Sequence, residues 1–139
     1  MARIILERKA GDFGFEATDE TGHVVKLDTN QETGGMNYGV RPMQSLLMAL
    51  GGCSGIDIVS ILKKQKQVID GFRMTIEGER KQINDFSLWD EVKIIFELKG
   101  NIDAQKAKRA CDLSMEKYCS VAETLRRAGC SLRWEVKLD

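Results

Sequence analysis

The residues best suited to chemistry in this chain are four cysteines, Cys53, Cys111, Cys119 and Cys130, and one histidine, His23. One histidine and no Cys-x-x-Cys pair leave the usual Cys/His zinc spacings unrepresented, and no metal or cofactor is expected. His23 lies in "ETGHVVKLD" and reads as a surface residue where a turn enters a strand, which argues against a Ser-His-Asp triad. Neither G-x-G-x-x-G nor G-x-x-x-x-G-K-[ST] occurs, so nucleotide binding has no motif behind it. The chemistry that remains is thiol chemistry, in which the thiolate is the nucleophile.

Cys119 is followed by "SVAE", where Ser120 and Glu123 have the spacing of a capping box. A helix starting at Ser120 puts Cys119 just outside its N-terminus. The helix dipole and free N–H groups there favour thiolate and lower the thiol pKa, and Lys117 and Arg126 add positive charge. Cys53 sits in "GGCSG", about three turns into a helix that Pro42 opens. A helix N-terminus does not reach that far. A buried thiol in apolar surroundings is inert unless a charge or donor is brought to it.

The three glycines beside Cys53 need an explanation, because each costs roughly 1 kcal/mol in a helix interior. Gly51, Gly52 and Gly55 remove bulk next to the sulfur, and Gly51 and Gly55 share a helix face. That suits a close helix crossing, or a small substrate beside the thiol. For both Cys53 and Cys119, patterning alone also allows inert packing. Cys111, on the same helical side as Met115, and Cys130, at a helix-to-strand junction, read as packing residues.

The elements that must position these thiols follow from periodicity. "RIILERK", "FGFEAT" and "HVVKLD" predict a three-strand meander. Residues 29–41, rich in Gly, Asn and Thr, form a loop long enough to be functional. The apolar stretch from Pro42 to about Gln65 predicts a helix buried nearly all round. Strands are expected from Phe72 and from Asp90, with "QINDFSLW" as the loop between them. A helix capped by Asn101 or Asp103 follows, then the helix from Ser120 ending at Gly129, then the strand "SLRWEVKLD". The order βββ-α-ββ-αα-β is that of an α+β fold, expected as one domain over residues 1–139.

Composition narrows the function classes. Lys plus Arg number 21, as do Asp plus Glu, so the net charge is zero and the basic residues are dispersed. Neither a nucleic-acid surface nor a membrane-binding face is expected. "MARIILERK" lacks the apolar core of a secretory leader, and no apolar run reaches the roughly 18 residues of a bilayer span. The expected location is cytoplasmic. Thiols stay reduced there, and a disulfide is catalytic or transient more often than structural.

Two of these stretches, "RPMQSLLMALGGCSGIDIVSILKK" and "LSMEKYCSVAETL", resemble the two cysteine motifs of the OsmC/Ohr family, part of the peroxiredoxin-like thiol hydroperoxidases. The element order is similar too, and the resemblance covers essentially the whole chain. The wording is closer to the OsmC-like branch without assigned substrates than to the Ohr branch. The resemblance implies an intertwined homodimer in which two long central helices are wrapped by two sheets, with sites at the interface. It implies thiol-dependent reduction of organic hydroperoxides, part of an oxidative-stress response, with Cys53 as the peroxidatic and Cys119 as the resolving cysteine. An external dithiol would complete the cycle.

The chain also departs from the family pattern. The family places a glutamate just after the proline, paired with an arginine that supports the thiolate. Here Met43 and Gln44 follow Pro42, and Gln44 offers only a carbonyl acceptor. No arginine occurs in "KAGDFGFEATDE"; Arg8 and Arg41 are the candidates for that role. These departures keep a second expectation open: a non-peroxidatic dimer on the same scaffold, sensing redox state or holding an apolar small molecule in the interface cleft.

Overall fold

The computed structural model describes residues 1–139 as two compact units, Met1–Leu46 and Leu47–Asp139. The first unit holds an antiparallel sheet of β1 (Ile5–Ala10), β2 (Gly14–Thr18) and β3 (Val24–Leu27), in that order. This is the predicted meander. His23 is exposed in the turn before β3, its ring bonded to the Asp19 carboxylate and the Thr21 hydroxyl. The 29–41 loop is organised by buried Asp28, whose carboxylate accepts from the N–H groups of Thr29, Met36 and Tyr38. The Tyr38 hydroxyl in turn donates to Glu16.

Helix α1 (Pro42–Lys64) begins in the first unit and runs on through the second. In the second unit β4 (Val68–Ile83) pairs antiparallel with β5 (Phe86–Asn101), and β6 (Ser131–Leu138) pairs parallel with β5. The inward side of β5 is Val92, Ile94, Phe96 and Leu98, the period of two of a strand with one face in the core. The expected loop "QINDFSLW" is mostly ladder: pairing continues to Ile83 opposite Phe86, and only Asn84 and Asp85 turn the chain. Asn84, at φ 55°, takes the left-handed conformation that Asn tolerates better than most residues.

Helix α2 (Ala104–Leu113) is capped by Asp103, which accepts from the Lys106 N–H. It passes through a single π-helical turn, Ser114–Tyr118, into α3 (Ser120–Arg127). Gly129, at φ 100°, ends α3 as the predicted C′ residue. Ala107, Ala110, Cys111, Met115, Ala122 and Leu125 form the inward side of this helical layer. The α+β class and the element order agree with the sequence reading.

Helix α1 is buried along one side, by Leu50, Ser54, Ile58 and Leu62. The all-round burial that its composition predicts is not completed within the chain: Met48 and Ile56 are 54% and 73% exposed. By length and composition alone α1 could also cross a bilayer, with 23 residues and a mean hydropathy of 1.8 over its best window. The expectation from unbroken apolar runs missed this, because Gly and Ser interrupt the runs without lowering the average much. One third of that window is nonetheless buried in the protein. Two of the helix glycines face the sheet. A Cβ on Gly51 would lie 2.8 Å from Ile76 Cδ1, and one on Gly55 2.9 Å from Met74 Cε. The predicted close approach is therefore met inside the chain by β4, whereas a Cβ on Gly52 would face open space.

Candidate functional site

The site lies in the Leu47–Asp139 unit, where α1 meets the turn between α2 and α3. Cys53 and Asp57 are four residues apart on α1 and so share one face. Ser114 opens the π-turn, and Cys119 closes it with its N–H bonded to the Ser114 carbonyl at 2.8 Å. One π-turn shifts the helical phase, which gives such turns a recurrent place at functional sites. It brings Ser114 and Cys119 together toward α1. The Cys53 Sγ, the Cys119 Sγ and an Asp57 carboxylate oxygen all lie within 4.8 Å of one another. Ser114 Oγ donates to Asp57 Oδ2 at 3.0 Å and lies 3.4 Å from the Ser54 carbonyl, fixing the carboxylate against the helix turn.

The two cysteines singled out from the sequence are thus neighbours, and both thiols are free. Cys119 differs from expectation in two ways. It is itself the N-cap of α3, its Sγ accepting from the Ala122 N–H at 3.4 Å. The Ser120–Glu123 capping box is not formed; Glu123 pairs with Arg126 and Arg127 instead. Its thiol pKa is raised, to about 11, not lowered. Burial is the main cause and the hydrogen bond with Cys53 adds to it, while the Ala122 N–H opposes both. Lys117 and Arg126 are otherwise engaged. Lys117 Nζ lies over the Tyr118 ring, and Arg126 bonds Glu123 and the Met115 carbonyl.

Cys111 and Cys130 are buried, as packing residues should be. Burial pushes the Cys111 thiol up to about 12 and raises that of Cys130.

The three groups expected to support the thiolate all lie in the Met1–Leu46 unit. Arg8 is exposed on β1 opposite Phe15, and Gln44 is exposed near the start of α1. Arg41 lines a surface hollow with Asn30, Gln31, Glu32 and Asn37, and its charge helps to hold the Asp28 carboxyl low. Sequence reasoning missed Asp57 and Ser114. The signal for Asp57 was available: it is the one acidic residue in α1, one turn after Cys53. For Ser114 there was none, since its position depends on the π-turn.

A cleft of about 620 Å³ opens at Asp57, walled by Ile61, Leu113 and Tyr118, with Ser60, Lys64 and Gln65 also lining it. The volume is of small-molecule size. Gln65 Oε1 is a buried acceptor without a partner.

Known proteins place this arrangement in context. Residues 33–135 match the model of the family described as OsmC-like protein. Protein YhfA of Escherichia coli K12 is 36% identical over 115 residues, covering 82% of each chain. A hypothetical protein of Aquifex aeolicus superposes with a TM-score of 0.81 at 26% identity, over 100% of this chain and 98% of that one. An organic hydroperoxide resistance protein OsmC from Legionella pneumophila shares the fold, with a TM-score of 0.73 at 16% identity over 99% and 96% of the two chains. On the family match and the YhfA likeness together, the chain belongs to the OsmC-like protein family.

Proposed function

We propose that this protein is a thiol-dependent hydroperoxide reductase, with Cys53 attacking the peroxide and Cys119 resolving the product. The observation that carries the reading is the approach of two free thiols, from α1 and from the α3 N-cap, to within 4.8 Å. The organic hydroperoxide resistance protein among the structural relatives supports the substrate class. In the first step the Cys53 thiolate attacks the O–O bond; one proton is taken up, an alcohol leaves, and sulfur is oxidised to sulfenic acid. In the second, the Cys119 sulfur attacks Cys53, an S–S bond forms and water leaves. An external dithiol then returns both thiols by exchange. Asp57, with a carboxylate oxygen within 4.8 Å of both sulfurs, is our candidate to accept, through a bridging water, the proton either thiol gives up.

The outer side of α1 supports a homodimer, since its exposed Met48, Ile56 and Val59 form an apolar surface that a second copy would cover. We assign the active form to the cytoplasm, where reduced thiols are maintained.

The test is one equivalent of cumene hydroperoxide on fully reduced protein, quenched after seconds, alkylated and mapped by mass. A Cys53–Cys119 disulfide with Cys111 and Cys130 alkylated after denaturation is expected, and Cys53→Ser should consume no peroxide. Four free thiols after exposure would refute the reading. They would favour a small-molecule binding role instead, for which the cleft beside Asp57 and the unpartnered Gln65 oxygen are the supporting observations.

A further inference from the structure

We propose that reduced Cys53, Cys119 and Asp57 form a binding site for Zn²⁺, with the fourth coordination position open. The Cys/His spacing rules could not indicate it, because the donors come from two segments far apart in sequence. The donor set, two thiols and a carboxylate, is one that zinc accepts, and three protein ligands plus one open position is the pattern of its non-structural sites. In a tetrahedral site with Zn–S of about 2.3 Å the two sulfurs stand roughly 3.8 Å apart. Each sulfur would stand roughly 3.5 Å from the carboxylate oxygen, and the three donor atoms already lie within 4.8 Å of one another, so side-chain shifts of up to about 1.3 Å close the site.

A supporting shell is also present. Ser114 Oγ donates to Asp57 Oδ2 at 3.0 Å, which orients the carboxylate beside the two sulfurs. The Ala122 N–H fixes the Cys119 sulfur at 3.4 Å. The adjoining cleft gives an ion a route in.

Loading is an exchange without electron transfer: two S–H bonds break, two S–Zn bonds form, and two protons go to solvent. Zinc and the disulfide therefore exclude one another. A cation held by both thiolates shields them from peroxide, and the disulfide leaves nothing for the cation to bind. The metal site needs only the geometry, and so goes beyond the peroxidase reading.

The test titrates Zn²⁺ into reduced, chelator-treated full-length protein in competition with a chromophoric chelator. One zinc per chain is expected. Ser114→Ala should weaken it by roughly 10- to 100-fold, the usual loss for a supporting residue, and Cys53→Ser or Cys119→Ser by more than that. Cys130→Ser should bind as the parent does. No uptake at one equivalent, or parental affinity in Cys53→Ser, overturns the site. A measurement that needs no variant is alkylation of the native parent: zinc should protect the half-buried Cys53, and equal labelling of Cys53 with and without zinc overturns the site. Disulfide formation without zinc uptake sinks the metal site alone. Zinc uptake without any reaction toward peroxide sinks the peroxidase reading alone.

Discussion

Replacing Ile56 with alanine tests whether the outer side of α1 meets a second copy. In the single chain Ile56 is 73% exposed, so truncation loses only about a quarter of the burial available to it. That is well under 1 kcal/mol, and alanine's better helix propensity returns up to roughly 0.7 kcal/mol. A solitary chain should scarcely notice the change. A covered face should. Fully burying an isoleucine is worth about 1.5–3 kcal/mol, so three quarters of that is roughly 1–2 kcal/mol per copy, doubled across a two-fold interface. At 1.4 kcal/mol per factor of ten, dimer Kd should rise roughly 30- to 700-fold. Sedimentation equilibrium across a concentration series, with urea unfolding at each concentration, reads both quantities. A variant with parental association and an unchanged urea midpoint would refute the covered face, and a monomeric parent would refute the homodimer with it.

Three further outcomes follow from single residues. The Cys111 thiol is raised to about 12 by burial, so the fold keeps a proton that the unfolded chain releases near pH 9. Stability should be intact below pH 9 and fall by up to about 1.4 kcal/mol per unit between pH 9 and 12; urea midpoints against pH should show this slope reduced in Cys111→Ala. The Asp28 carboxyl is held low chiefly by the Met36 and Tyr38 N–H groups, so its contribution is present above the unfolded value of 3.8 and disappears as pH falls below it. The protection of the Met36 and Tyr38 amides, their exchange compared with that of an unstructured chain at the same pH, should fall at acid pH in the parent and already at neutral pH in Asp28→Ala. Gly55→Val places branched carbon where a single Cβ would stand 2.9 Å from Met74 Cε; because the flexible Met74 tip can turn aside and valine is a better helix former than glycine, the net loss in urea unfolding should stay below about 1 kcal/mol.

Much of this fold was legible because its signals are local. Pro42 marks the start of α1, Asp103 caps α2, Gly129 ends α3, and the alternation through Val92, Ile94, Phe96 and Leu98 marks β5. What was misread depended on partners. "QINDFSLW" has loop composition, yet the β4–β5 ladder holds Lys81 opposite Leu88 and Gln82 opposite Ser87, and only two residues turn. Ser120 and Glu123 have capping-box spacing, yet the π-turn brings Cys119 into the capping position and Glu123 goes to the arginines. Cys53 and Cys119 could be nominated separately from sequence. Their pairing came only from the family resemblance and not from patterning, because it rests on a π-turn and on α1 packing, neither of which has a local sequence signature here.

The environment of Cys119 also bears on the order of events in the proposed cycle. A helix N-terminus stabilises an anion by typically 0.3–1 kcal/mol at exposed sites and up to about 2 kcal/mol when partly buried. Against this stand burial and the Cys53 hydrogen bond, and together they prevail, since the thiol ends at about 11. At neutral pH Cys119 is protonated and 97% shielded from solvent, two properties that suit it poorly to meeting a peroxide first. Cys53 is only half-buried, on the helix that also carries Asp57. Oxidation there replaces the S–H partner of Cys119 with an electrophilic sulfur at the same short range. The two thiols share one site yet differ in exposure, and that difference supports the attacking role proposed for Cys53 independently of the cysteine motifs.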